Sequence, residues 1–139
     1  MCKKYINFAV IYAIAAMVFG VFYREFTKLT GFSGATNLSV MHTHYFMLGM
    51  FFFLILALLE KSFSFSENKN TGRIVTFYHI GLNIAGLGLF VRGMVQVLRS
   101  EISSGLDASI FGSSGVGHII LGVSLILLLI AVKKSAAKE

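Results

Sequence analysis

Leu38-Ser39-Val40-Met41-His42-Thr43-His44-Tyr45-Phe46-Met47-Leu48-Gly49-Met50-Phe51-Phe52-Phe53-Leu54-Ile55-Leu56-Ala57-Leu58-Leu59 carries no charged side chain along its whole length. A helix crosses the hydrocarbon core of a bilayer in about 20 apolar residues, so this run is long enough to span. A membrane β-strand would instead alternate apolar and polar positions over about 10 residues, and no alternation is present. The run opens on two imidazoles, His42 and His44. Ionisable side chains are costly in hydrocarbon, and those found there mark functional positions by default.

Three further segments read the same way, giving expected spans at Tyr5–Tyr23, Ser39–Leu59, Val75–Leu98 and Gly115–Val132. Composition agrees. The chain has 139 residues, 56% hydrophobic and 13% charged, with neither Pro nor Trp, and its mean hydropathy is +0.80. A soluble domain of this size could not bury so much apolar surface, because small domains leave much of their surface exposed. Lipid is the natural solvent, and only helices or closed barrels satisfy the backbone there. The expected fold is therefore all-α: an integral membrane four-helix bundle forming a single domain over residues 1–139, with the lipid bilayer as its first partner.

The net charge of +6 would suggest nucleic acid in a soluble protein. Here the basic residues border apolar segments, so they report membrane topology and attraction to anionic lipid, and no nucleic-acid partner is expected. Lys3, Lys4, Lys61, Lys69, Arg73, Lys133, Lys134 and Lys138 fall on the side of the two termini, against Arg24, Lys28 and Arg99 on the other. The bias predicts both termini in the cytoplasm, in a bacterial cytoplasmic membrane. Lys3-Lys4 before an apolar run resembles a signal peptide, but the run is too long and lacks a small-residue exit, so it reads as a retained span. Cys2 is the only cysteine, which excludes an intrachain disulfide or thiolate cluster.

The connecting segments are expected at Arg24 to Asn37, Glu60 to Arg73 and the Ser/Gly-rich Arg99 to Ser114. Ala9, Ala13, Ala16 and Gly20 recur at intervals of four, three and four, making one small-residue face for close packing. Gly81, Gly86, Gly88 and Gly93 thin the third span, and Gly115, Gly117 and Gly122 the fourth. Such thinning permits close helix approach or room for a flat macrocycle.

All four histidines lie in apolar segments. His42 and His44 are separated by about 200° around a regular helix, so both cannot face one central atom unless the helix is distorted. His42 shares its face with Tyr45, Phe46 and Gly49. On the predicted topology His42, His44 and His118 share the outer part of the membrane, and a histidine from each of two helices is what bis-imidazole haem ligation requires. Arg92, Arg24 and Arg99 are candidate propionate partners, although Arg92 also reads as a residue snorkelling to the interface. His79 is a second candidate ligand or proton relay, with a helix-bridging hydrogen bond to Tyr78, Asn83 or Glu60 as its structural reading. No phosphate-binding loop, paired intramembrane carboxylates or nucleophilic triad is present.

Met41-His42-Thr43-His44 with Leu48-Gly49, Tyr78-His79-x-Gly81-Leu82, Val91-Arg92-Gly93 and Gly117-His118-Ile119-Ile120-Leu121-Gly122 resemble a bacterial family of short four-span membrane proteins of unknown function. More distantly, the His-Thr start of the second span is similar to the haem-ligating helix of the catalytic subunits of haem–copper oxidases and nitric oxide reductases. That resemblance implies His42 as an axial ligand. Four spans and four histidines are too few for the full set of redox centres of that superfamily, so oxygen reduction is not implied.

The expected function is that of a b-type haem-binding membrane protein, serving electron transfer or sensing of haem or a gas. His42 and His118 are the favoured axial pair, and His44 the competing imidazole. A membrane redox partner or a homo-oligomer would complete the electron path. The alternatives are a copper or zinc site built on His42, His44 and His118, a structural or assembly subunit whose histidines only bridge helices, and a small-molecule transporter.

Overall fold

The computed structural model describes residues 1–137, so Lys138, counted above among the charges beside the termini, lies outside the described residues. Four long helices follow in order: α1 (Cys2–Leu29), α2 (Leu38–Phe63), α3 (Thr71–Leu98) and α4 (Ser104–Ala136). Each is long and apolar enough to cross a bilayer, and each contains one of the expected spans. Many large apolar side chains remain exposed, such as Ile11, Ile14, Met17 and Val21 on α1 and Ile119, Val123 and Ile126 on α4. A surface of this kind is stable against lipid rather than water. The chain is an all-α, multi-pass membrane protein.

One connection differs from expectation. The Ser/Gly-rich stretch before Gly115 is not a loop: α4 already begins at Ser104. Ser103 caps it, its hydroxyl accepting from the Leu106 amide at 3.3 Å, and Asp107 in the first turn favours the positive end of the helix dipole. The hydroxyls of Ser109 and Ser113 donate back to the carbonyls of Gly105 and Ile110. Each glycine costs a helix only about 1 kcal/mol relative to alanine, and these local bonds offset part of it.

The helices pack mainly as two hairpins, α1 on α2 and α3 on α4. Glycine governs the second crossing. A Cβ at Gly81 would stand 2.5 Å from the Leu121 nitrogen, and one at Gly117 would stand 2.6 Å from the Ala85 nitrogen. Two backbones in near contact leave no room for any side chain at either position. On α1, Ala9 and Ala16 are buried against α2 and Gly20 faces His42, as the small-residue face predicts.

α2 is not uniform. Between two α-helical parts, Leu38–His44 and Phe52–Phe63, residues Tyr45–Phe51 form a π-helix. This widened turn begins immediately after the His-Thr-His motif, and π-segments frequently mark functional positions. Its geometry is supported from both sides. Gly49 lets Tyr12 of α1 come close, since a Cβ there would be 2.5 Å from the tyrosine ring. The Tyr78 hydroxyl of α3 donates to the Leu48 carbonyl at 2.7 Å. Tyr78→Phe is therefore expected to cost about 1 kcal/mol, measured as a lower unfolding midpoint in detergent.

The core beside the termini is aromatic. Tyr5 stacks on Phe53 and Phe65, with ring centroids 6.2 and 5.9 Å away. Its hydroxyl meets Ser66 Oγ at 2.6 Å. At the opposite end, the loop before α2 is tied to α3: Thr36 Oγ1 donates to the Gly93 carbonyl at 3.1 Å, and the Asn37 amide donates to Gln96 Oε1 at 2.8 Å. These bonds hold the start of α2, and hence the His-Thr-His motif, in register with α3.

Candidate functional site

The roughly 200° separation of His42 and His44 persists, because Leu38–His44 is regular α-helix. The two imidazoles consequently serve different neighbours. His42 faces α1, where its ring lies over Gly20, whose added Cβ would be 3.7 Å away, and stacks with Tyr23 at 6.3 Å between centroids. Its Nδ1 is buried without a hydrogen-bond partner.

His44 points to the other side and meets His118 of α4. Their ring centroids are 5.8 Å apart and the planes are nearly perpendicular, at 86°. The structure thus brings His118 together with His44; His42, the partner favoured from the sequence, is held by α1 instead.

The two rings are oriented alike by their own helices. His44 Nδ1 lies 3.1 Å from the Val40 carbonyl, and His118 Nδ1 lies 2.8 Å from the Ser114 carbonyl. A carbonyl oxygen only accepts, so each Nδ1 carries the proton and donates it, leaving a lone pair on Nε2. An Nδ1–H bound to a carbonyl is the usual orienting contact of an imidazole that ligates a metal through its other nitrogen. Two such imidazoles from two helices can act as a pair of ligands. Among the described residues no group of three or more His, Cys, Asp or Glu is placed to hold a metal ion. Gly115 and Gly122, which flank His118 on α4, face open space.

His118 also borders a cavity of about 250 Å³, shared with Asn37, Gly88, Arg92 and Phe111. Arg92 donates from Nη1 to Asp107 Oδ1 and forms an ion pair with it. Its charge is thereby matched within the protein, and the contact pins the first turn of α4 to α3. Arg24 lies near its neighbour Glu25 on the exposed surface, and Arg99 closes α3 in a left-handed conformation. Asp107→Asn is expected to lower the melting temperature by only a few degrees, because partly exposed pairs contribute about 1 kcal/mol or less. A thermal melt in detergent measures it.

His79 belongs to a separate constellation. Its ring stacks on Phe53 at 4.8 Å and meets the edge of Phe8 at 4.3 Å. Nδ1 lies 2.8 Å from the Tyr12 hydroxyl, while Nε2 is buried without a partner. Asn83 Nδ2 donates to Tyr12 Oη at 3.0 Å and to the His79 carbonyl at 2.8 Å. The Tyr45 hydroxyl donates to Asn83 Oδ1 at 3.3 Å. His79 therefore does bridge helices, but to Tyr12 rather than to Tyr78, Asn83 or Glu60. Nothing in the sequence of α1 singled out Tyr12; the only available signal was a hydroxyl-bearing aromatic within an otherwise apolar span.

No curated protein and no solved structure matches this chain. Over residues 2–135 it matches the family described as Protein of unknown function (DUF2871), and four membrane-spanning helices with their histidines in those spans are what this member of the family presents: the chain belongs to that family.

Proposed function

We propose that this protein carries a b-type haem on His44 and His118 and transfers electrons within the membrane. The observation that carries the reading is the matched pair of imidazoles, each with Nδ1 bound to a backbone carbonyl, which leaves the lone pair of Nε2 free. Haem asks the protein for one axial ligand on each face, apolar surroundings and little else, since the macrocycle supplies the other four donors. Two imidazoles without a third ligating group fit that demand better than they fit a bare ion. Structural zinc takes four protein ligands and catalytic zinc three, so a copper or zinc site here would need donors from water or a second copy of the chain.

Haem held in this way supplies a one-electron couple. His44 and His118 would fill both axial positions, which favours electron transfer over gas sensing, because a gas would have to displace an imidazole. A membrane redox partner or a second copy would accept or supply the electron. The distribution of Lys and Arg supports both termini in the cytoplasm and a bacterial cytoplasmic membrane, with the site towards the outer face.

The test is a spectrum of protein purified from haem-replete cells, oxidised and then reduced. A Soret band with sharp reduced α and β bands is the expected result. Colourless protein that also fails to bind added haemin would remove the proposal and leave the structural or assembly role.

A further inference from the structure

α1 and α3 keep their backbones apart and leave a cleft of about 450 Å³ lined by Phe8, Tyr12, Phe19, Tyr45, His79 and Asn83. A separate recess of about 370 Å³, bordered by Leu87 and Phe90, shares Phe19, Tyr45 and Asn83 with it. The cleft by itself is of the size that takes a small organic ligand, roughly 300–1,000 Å³. Asn83 is exposed there, midway along a membrane-spanning helix.

The hydrogens of the network can be counted. Asn83 is satisfied: both of its N–H groups donate, to Tyr12 Oη and the His79 carbonyl, and its oxygen accepts from Tyr45. Between Tyr12 Oη and His79 Nδ1 there is one hydrogen bond. If the tyrosine donates it, the imidazole proton sits on Nε2, which has no partner. If Nδ1 donates it, the tyrosine proton is free to point into the cleft. In the first case the unused N–H is enclosed in protein; in the second the Tyr12 hydroxyl is a donor without a partner at the cleft wall, and it asks for an acceptor.

We propose that this cleft binds a lipid-soluble para-quinone. Its ring would lie among the aromatic side chains of Phe8, Tyr12, Phe19 and Tyr45, which favour stacking with a flat ring. With His79 Nδ1 donating to Tyr12 Oη, one carbonyl oxygen would take the Tyr12 hydroxyl proton. Entry is from the bilayer, where such molecules are dissolved. A lipid acyl chain fills the same volume but offers no acceptor. The inference stands independently of the cofactor proposed at His44 and His118.

The chain contains no Trp and five Tyr, two of which, Tyr12 and Tyr45, line the cleft, so quenching of that part of the tyrosine emission reports on its occupancy. The probe is decylubiquinone, titrated into phosphatidylcholine nanodiscs containing the protein, with empty nanodiscs giving the partition background. Saturable quenching near one quinone per chain is expected. Tyr12→Phe, which keeps the ring and removes the hydroxyl, and Asn83→Leu should each weaken binding roughly tenfold, as loss of one hydrogen bond in such a network implies. Gly122→Leu, at a glycine of α4 that faces open space, should leave it unchanged. Quenching no greater than the partition background, the outcome if acyl chains alone fill the cleft, overturns the proposal. So does Tyr12→Phe binding as tightly as wild type, a variant whose retained stacking lets its fold be verified by thermal melt if Asn83→Leu does not accumulate.

Discussion

His118→Ala and His44→Ala are each expected to remove the bis-imidazole spectrum of haem-loaded protein and to weaken haem retention by more than about 100-fold. Loss of an outer contact to a metal ligand already costs roughly 10–100-fold, and here the ligand itself is deleted. His42→Ala should leave the spectrum in place, because that ring is engaged with Gly20 and Tyr23 of α1 rather than with His118. The contrast between two histidines two positions apart is the sharpest reading of the site. Added imidazole should restore the six-coordinate spectrum of His118→Ala, since that ring is the more exposed of the pair. If His42→Ala abolishes the spectrum while His44→Ala does not, the ligand assignment is reversed.

Gly117→Leu is expected to produce the largest loss of stability of any single substitution in α4. The site faces the Ala85 nitrogen at 2.6 Å and the Ile84 side chain at 2.8 Å from where even a Cβ would lie. Backbone cannot yield as the end of a side chain can. Overpacking of a close-packed interface costs about 1–3 kcal/mol where neighbours can shift, and here the helices themselves would have to separate. The midpoint of unfolding in detergent should fall accordingly, and much of the protein should fail to accumulate. Gly122→Leu is the control, because that glycine faces open space, and it should behave as wild type.

Much of the fold was legible in local patterns. Four apolar runs gave four helices, because hydropathy and the need to satisfy the backbone in lipid act residue by residue. Helix ends were less legible. The Ser- and Gly-bearing segment from Ser104 to Ser114 looked like a loop by composition, yet it is helical, held by the Ser103 cap and by Asp107 on Arg92 of a different helix. The π-segment left no trace that periodicity could detect. It depends on Gly49 meeting Tyr12 and on the Leu48 carbonyl finding Tyr78, both contacts between helices.

For the candidate site, the sequence by itself determined that the histidines lie within membrane-spanning helices. It also determined that His42 and His44 must diverge, because 3.6 residues per turn sets their angle without reference to any neighbour. Which of them meets His118 was decided only by the tertiary structure. Rotation of α2 about its axis is fixed where Gly20 admits His42 and Tyr12 settles over Gly49, and α4 is placed by the Gly81–Gly117 crossing on α3. The same crossings leave α1 apart from α3 and gather Tyr12, Tyr45, His79 and Asn83 around one cleft. Periodicity orders residues around one helix; contact between helices decides which face meets which.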